Sequence, residues 1–212
     1  MKIFFRFEVE GQTNVPKTGP VILASNHLSF LDSPLLIVAE KRTINFIGKD
    51  SYFRTDNWKH KFVNWLFRAL HVFPVNREGG PAAGAAIDQA IQVLKQGKVF
   101  GIYPEGTRSP TGVLYRGHTG LARISLATGA PIVPVAMQGT PDAMPYTGGF
   151  HLKKIAAKFG KPIYMSEYSN RSDLHLAREI TDRVMLELQK LSGQVYDSTT
   201  YGSVIRKALG KG

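Results

Sequence analysis

Five short apolar runs, separated by stretches of helical periodicity, restrict the fold of this chain more than any other feature. They are Val21-Ile22-Leu23-Ala24, Ile44-Asn45-Phe46-Ile47, Val72-Phe73-Pro74-Val75, Val99-Phe100-Gly101-Ile102 and Ile132-Val133-Pro134-Val135. Their length and their content of branched and aromatic residues mark them as buried strands. A sixth strand is expected over Lys154 to Phe159. Between the runs, Pro81 to Gly97 opens on proline, carries Ile87, Ile91 and Leu94 on one face, and closes on glycine, which is the pattern of a helix. A second helix is expected from about Thr119 to Thr128, stopped by Gly129. A third begins with Ser172 as N-cap and repeats Leu176, Ile180, Val184, Leu188 and Leu191 before Gly193. Strand–helix alternation of this kind predicts an α/β domain with a mostly parallel central sheet flanked by helices. No repeat or linker divides the chain, so residues 1–194 read as one domain and 195–212 as a basic tail.

Composition narrows the functional classes. A chain of 212 residues with 43% hydrophobic and 20% charged residues is globular in type. Cysteine is absent, which excludes disulfides, thiolate metal sites and a cysteine nucleophile. Lys and Arg number 27 against 16 Asp and Glu, and the resulting +11 charge suits an anionic partner. Nucleic acid, an anionic membrane leaflet and phosphorylated substrates all qualify. Nucleic acid is set aside, because no reader motif is present and the basic residues do not gather on one helix. No apolar run reaches the ~18 residues of a spanning helix, so a membrane-associated chain of this sequence would lie on the bilayer.

Two segments carry chemistry. Ser25-Asn26-His27-Leu28-Ser29-Phe30-Leu31-Asp32 follows the first strand, and ligand sites of open α/β sheets gather where strands hand over to helices. A turn between His27 and Asp32 would fold the carboxylate back onto the imidazole, fixing its tautomer and leaving the second ring nitrogen as a base. A helix-capping Asp32 beside a loop histidine is the plainer alternative. Ile102-Tyr103-Pro104-Glu105-Gly106-Thr107-Arg108-Ser109 also leaves a strand, and its Pro and Gly flank Glu105 in the manner of a tight turn.

Together these segments resemble the glycerolipid acyltransferases of the lysophosphatidate acyltransferase (PlsC) type. The Asn-His-x4-Asp signature is matched by Asn26, His27 and Asp32, and Pro-Glu-Gly-Thr-Arg-Ser is matched without change from Pro104 to Ser109. An intermediate block looks like Phe73-Pro74-Val75-Asn76-Arg77, with Asn76 where aspartate is frequent. A fourth resembles Pro131 to Val135, and the lysine after the second strand looks like Lys49, although Asp50-Ser51 departs from the usual residues. The resemblance runs from about Val9 to Tyr164.

It implies transfer of a fatty acyl group from acyl-CoA or acyl-ACP, as co-substrate, to the hydroxyl of lysophosphatidate, with no metal or other cofactor. His27 is then the base and Asp32 its orienter. Arg108, Arg77 and Lys49 are the phosphate-binding cations, and Asn26, Glu105, Gly106 and Thr107 shape the site. Glu105 is expected to anchor an arginine or shape the turn, and Gly106 to let backbone N–H groups approach substrate. Glycerol 3-phosphate, another lysophospholipid or a glycolipid remain alternative acceptors, and a thioesterase or lipid hydrolase is a further alternative. The implied setting is the cytoplasmic face of an anionic membrane, reached peripherally or monotopically without a transmembrane helix, with acyl carrier protein as a second partner.

Four further readings complete the sequence. Trp58 to Phe73 is amphipathic, as either a membrane-interface or a core-facing helix. Phe4, Phe5 and Phe7 form a second candidate membrane contact, and Lys153, Lys154, Lys158 and Lys161 a basic stretch. His60, His71, His118, His151 and His175 lack metal-ligand spacing. His118 alone has a second reading, as a contact for a donor phosphate.

Overall fold

The computed structural model describes residues 6–49, 61, 72–75, 80–145, 149–169, 171 and 173–208. In chain order the strands are β1 (Arg6–Glu10), β2 (Val21–Ser25), β3 (Ile44–Lys49), β4 (Val72–Val75), β5 (Val99–Ile102), β6 (Leu114–Tyr115), β7 (Ile132–Gln138), β8 (Lys154–Phe159) and β9 (Tyr196–Asp197). The helices are α1 (Asp32–Ala39), α2 (Gly80–Lys95), α3 (Gly120–Thr128), α4 (Thr140–Ala143), α5 (Leu176–Ser192) and α6 (Tyr201–Ala208). Seven strands form one sheet in the order β1-β8-β7-β2-β5-β3-β4, and β6 pairs with β9 apart from it.

From β7 to β4 all neighbours are parallel, whereas β8 joins β7 antiparallel and carries β1 parallel to itself. The α/β class with a mostly parallel sheet is as expected from the alternation of elements. Each strand of the parallel set sends alternate side chains to opposite faces. Ile22, Ala24, Phe100 and Ile132 join a core with residues of α2, α3 and α5. Val21, Leu23, Val99, Val133 and Val135 join a second core with Leu36 and Ala39 of α1. With both faces covered, β2 is buried along its whole length.

Four features depart from the sequence reading. First, Arg6 to Glu10 is an edge strand; its charges stay in water while Phe7 packs, partly buried, on the core. Phe4 and Phe5 lie outside the described residues. Second, α5 starts at Leu176 rather than after Ser172, with His175 as N-cap; Ser172 is outside the described residues. Third, the stretch after Gln194, expected as a tail, forms β9 and α6. Leu114 pairs with Tyr196 and Tyr115 with Asp197, and the Tyr115 and Tyr201 rings meet at 5.2 Å. Fourth, the lysines from Lys153 to Lys161 do not form one patch, because Lys153 precedes β8 and Lys161 follows it. Of Trp58 to Phe73, only Lys61 and the start of β4 are described.

The close packing of β3 on β5 explains a glycine inside a strand. A Cβ added to Gly101 would lie 2.3 Å from Cε1 of Phe46, which is itself buried. Gly101→Val, favoured by strand propensity alone, is therefore expected to destabilise the fold by ~1–3 kcal/mol through overpacking. Adding Phe46→Leu should recover part of the loss. Urea unfolding of the three proteins measures both effects.

Candidate active site

β2 and β5 are parallel neighbours, with Ala24 opposite Ile102, so the segments leaving them emerge side by side at one edge of the sheet. They are then tied together. Ser109 N donates to His27 O at 2.8 Å, and His27 N donates to Glu105 Oε1 at 3.4 Å.

Beyond Ser25 the chain turns, with Asp32 N donating to Ser29 O at 3.2 Å, and this brings the Asp32 carboxylate back over the turn. Its Oδ2 accepts from His27 Nδ1 at 2.9 Å, Leu28 N at 2.6 Å and Ser29 N at 2.7 Å. A carboxylate partner assigns the proton to Nδ1 and leaves Nε2 as the basic nitrogen. Asp32 is fully buried, and its Oδ1 has no hydrogen-bond partner. The carboxylate is thus held by the turn it closes instead of by solvent. Although Asp32 opens α1, its oxygen serves the preceding turn and the imidazole, so the capping alternative is not what is seen.

The imidazole plane is fixed by a contact that the sequence reading missed. Tyr103 stacks on His27 with centroids 3.9 Å apart and an interplanar angle of 12°. Its hydroxyl shares a 2.6 Å hydrogen bond with Ser33 Oγ, one residue beyond Asp32. Burial, followed by the charge of Asp32, pushes the Tyr103 phenol above its ordinary range, so the ring stays neutral. The alternation Val99, Gly101, Tyr103, carried one residue past the end of β5, was the available signal.

Glu105 shapes the turn, one of the two roles expected of it. Oε1 receives the His27 N–H, and Oε2 receives the Tyr115 N–H at 2.9 Å. Gly106 sits at φ 75, in the region that favours glycine, and its own N–H is engaged with Tyr103 O at 3.0 Å. That N–H therefore closes the turn. Thr107 is exposed and Arg108 half-buried on the same turn. His118 backs it, donating its backbone N–H to Pro104 O at 2.8 Å.

Asn26 is a structural tie. Its Oδ1 accepts from Met137 N at 2.7 Å, and its Nδ2 donates to Met137 O at 3.0 Å and to Gln194 Oε1 at 2.7 Å. Gln194 in turn donates to Gly112 O at 2.7 Å. No sequence signal links Gln194 to a motif so far upstream. Lys49 ends β3, at the sheet edge where β2 and β5 also end. Arg77 and Asn76 lie outside the described residues. Among the described residues, no group of three or more His, Asp or Glu is placed to hold a metal ion.

Burial pushes the Glu105 carboxyl up to about 7, against the two N–H bonds that favour the anion. Between the ordinary glutamate value and that one, the folded state holds a proton that the unfolded state has released. Stability must therefore fall as pH rises through this window, by at most ~1.4 kcal/mol per unit, and level off above it. Glu105→Gln should flatten the decline. Urea unfolding of both proteins at pH 5 and pH 7.5 tests the sign.

Comparisons with known proteins agree with this geometry. A model of the family described as Acyltransferase matches residues 6–138. The chain is 29% identical over 194 residues to the 1-acyl-sn-glycerol-3-phosphate acyltransferase of Borreliella burgdorferi, covering 86% of this chain and 72% of that one. It is 27% identical over 193 residues to the protein of the same name from Bacillus subtilis, covering 89% of each. Of the larger chloroplastic relative from Brassica napus it spans 47%. Among solved structures, the 1-acyl-sn-glycerophosphate (LPA) acyltransferase PlsC of Thermotoga maritima superposes with a TM-score of 0.70 at 30% identity, covering 88% of this chain and 72% of that one. The matched segment spans more than half of the chain and contains His27, Asp32 and the Glu105–Arg108 turn, so the chain belongs to the acyltransferase family.

Proposed function

We propose that the protein transfers a fatty acyl group from an acyl thioester, acyl-CoA or acyl-ACP, to the free hydroxyl of lysophosphatidate, forming phosphatidate. The observation that carries the reading is the His27–Asp32 pair, with Nδ1 committed to a buried carboxylate and one ring face covered by Tyr103. The names of relatives that this chain matches over most of its length support the acceptor.

The chemistry is that of these groups. Nε2 of His27 takes the hydroxyl proton as the acceptor oxygen bonds to the thioester carbonyl carbon, and Asp32 stabilises the imidazolium that results. Collapse of the tetrahedral intermediate breaks the C–S bond. The thiolate leaves and recovers the proton from the imidazolium as free thiol. A thiolate leaves readily, so the scheme needs no acyl-enzyme and calls on no metal or cofactor. Arg108 on the motif turn and Lys49 at the end of β3 stand at the same sheet edge as His27 and are the proposed holders of the acceptor phosphate, with Arg77 as a third. The setting is an anionic membrane surface on its cytoplasmic face, and no helix among the described residues is long and apolar enough to cross a membrane.

Labelled acyl-CoA incubated with a panel of lysolipids and glycerol 3-phosphate, with product mass as the readout, is the direct test. Lysophosphatidate-dependent phosphatidate is expected. Free fatty acid released equally fast without any acceptor would make the protein a hydrolase. His27→Ala should lower kcat on the order of 10²–10⁴-fold, the usual contribution of a general base. Asp32→Asn should cost on the order of 10⁴-fold by allowing the wrong tautomer. Arg108→Ala should raise the acceptor KM well above wild type while the donor KM holds. An unchanged acceptor KM would remove Arg108 from the phosphate site.

A further inference from the structure

The antiparallel return of β8 brings the β7–β8 connection back to the edge of the sheet that carries His27. One hydrogen bond fastens it there, Ser29 Oγ donating to Met144 O at 3.0 Å, and the connection is closed on itself by His151 N donating to Ala143 O at 2.8 Å. Ser29 lies inside the catalytic turn, and the next residue, Phe30, is 42% exposed. On the fastened connection Phe150 is 58% and Leu152 70% exposed. Three large apolar side chains exposed on one edge differ from exposed residues found singly elsewhere, such as Val38 on α1, Leu126 on α3 and Leu186 on α5, which need no explanation.

We propose that Phe30, Phe150 and Leu152 form the contact by which the catalytic edge docks on an anionic lipid bilayer. The inference rests on the lysophospholipid reading above and names the surface through which that acceptor is reached. The charges fit a bilayer. Arg6, Lys153 and Lys154 border the patch, against Glu8, which lies 3.0 Å from Lys154, and Asp142 on α4. Apolar residues entering the headgroup region with basic residues at its rim is the pattern of interfacial binding. An acidic carrier protein would account for the lysines and leave the exposed Phe and Leu unexplained. With the docked edge facing lipid, an acceptor hydroxyl at headgroup depth can meet His27 while its acyl chain stays in the membrane.

The test exploits a chain without cysteine. Leu152→Cys carrying an environment-sensitive fluorophore reports on the patch. Lys98→Cys, just before β5, is the control, because β5 runs parallel to β2 and so starts at the edge opposite the one where His27 follows β2. Vesicles containing phosphatidylglycerol, without acyl donor or acceptor, should shift the Leu152 label to the blue and leave the Lys98 label unchanged. Phe150→Ser with Leu152→Ser should weaken sedimentation with those vesicles by about tenfold or more. The same variant should slow transfer to vesicle-embedded long-chain lysophosphatidate by a similar factor, and leave transfer to a monomeric short-chain lysophosphatidate unchanged. No shift at Leu152, an equal shift at both labels, or full vesicle binding by the double variant would overturn the proposal. Vesicle binding is read without turnover, so failure of the acyltransfer reading would be seen separately, as absence of product from the monomeric acceptor.

Discussion

One carboxylate oxygen, Asp32 Oδ2, organises the reactive end of this fold. It accepts two backbone N–H groups from the turn it closes and a third donor from His27. Because Asp32 is fully buried, water cannot compete for those positions, and the turn, the tautomer and the ring orientation are set by the same interaction. Oδ1 is buried without a hydrogen-bond partner, so the carboxylate is anchored through Oδ2 alone.

That oxygen would be of little use without the sheet behind it. β2 and β5 end side by side, and Glu105 bridges the segments beyond them by accepting one N–H from His27 and one from Tyr115 at β6. β6 is in turn held by β9, and Gln194 reaches from the start of that C-terminal segment to Asn26. A continuous path of hydrogen bonds therefore runs from residues after α5 to both sides of His27. Stacking on Tyr103 closes the remaining freedom of the ring. The imidazole is held from the backbone, from the edge and from one face.

Much of this could be read in the chain. The apolar runs that became β2, β3, β4, β5 and β7 are buried on both faces of the sheet or pair within it, and such strands leave an uninterrupted apolar signal. The His27–Asp32 and Glu105–Arg108 segments were legible because each comes within a few residues of such a run. The illegible parts have a different physics. β1 alternates charge with apolar residues over only five positions, and β6 and β9 have two residues each, too short to show a period. Gln194 is significant only because Gly193 ends α5 beside β7, a long-range consequence of packing that no local pattern encodes. Tyr103 lay between, since strand alternation placed it on the right face but not over the imidazole.

The net charge of +11 also has to be divided before it says anything about partners. Arg42 donates to the carbonyls of Pro16 and Gly97, at 2.8 Å and 2.9 Å, and ties loops at the edge opposite His27. Arg171 is bound to Asp173 and Glu179, and Arg183 to Glu167 and the Tyr168 hydroxyl. These guanidinium groups hold loops and helix ends, so their charge is largely answered within the molecule. Arg108 on its turn, Lys49 at the end of β3 and Lys153 ahead of β8 are placed differently, at the strand ends around His27. Placement thus discriminates where total charge does not. A polyanion bound over the whole surface would draw on every basic residue, whereas a phosphate presented at one edge meets the basic residues of that edge.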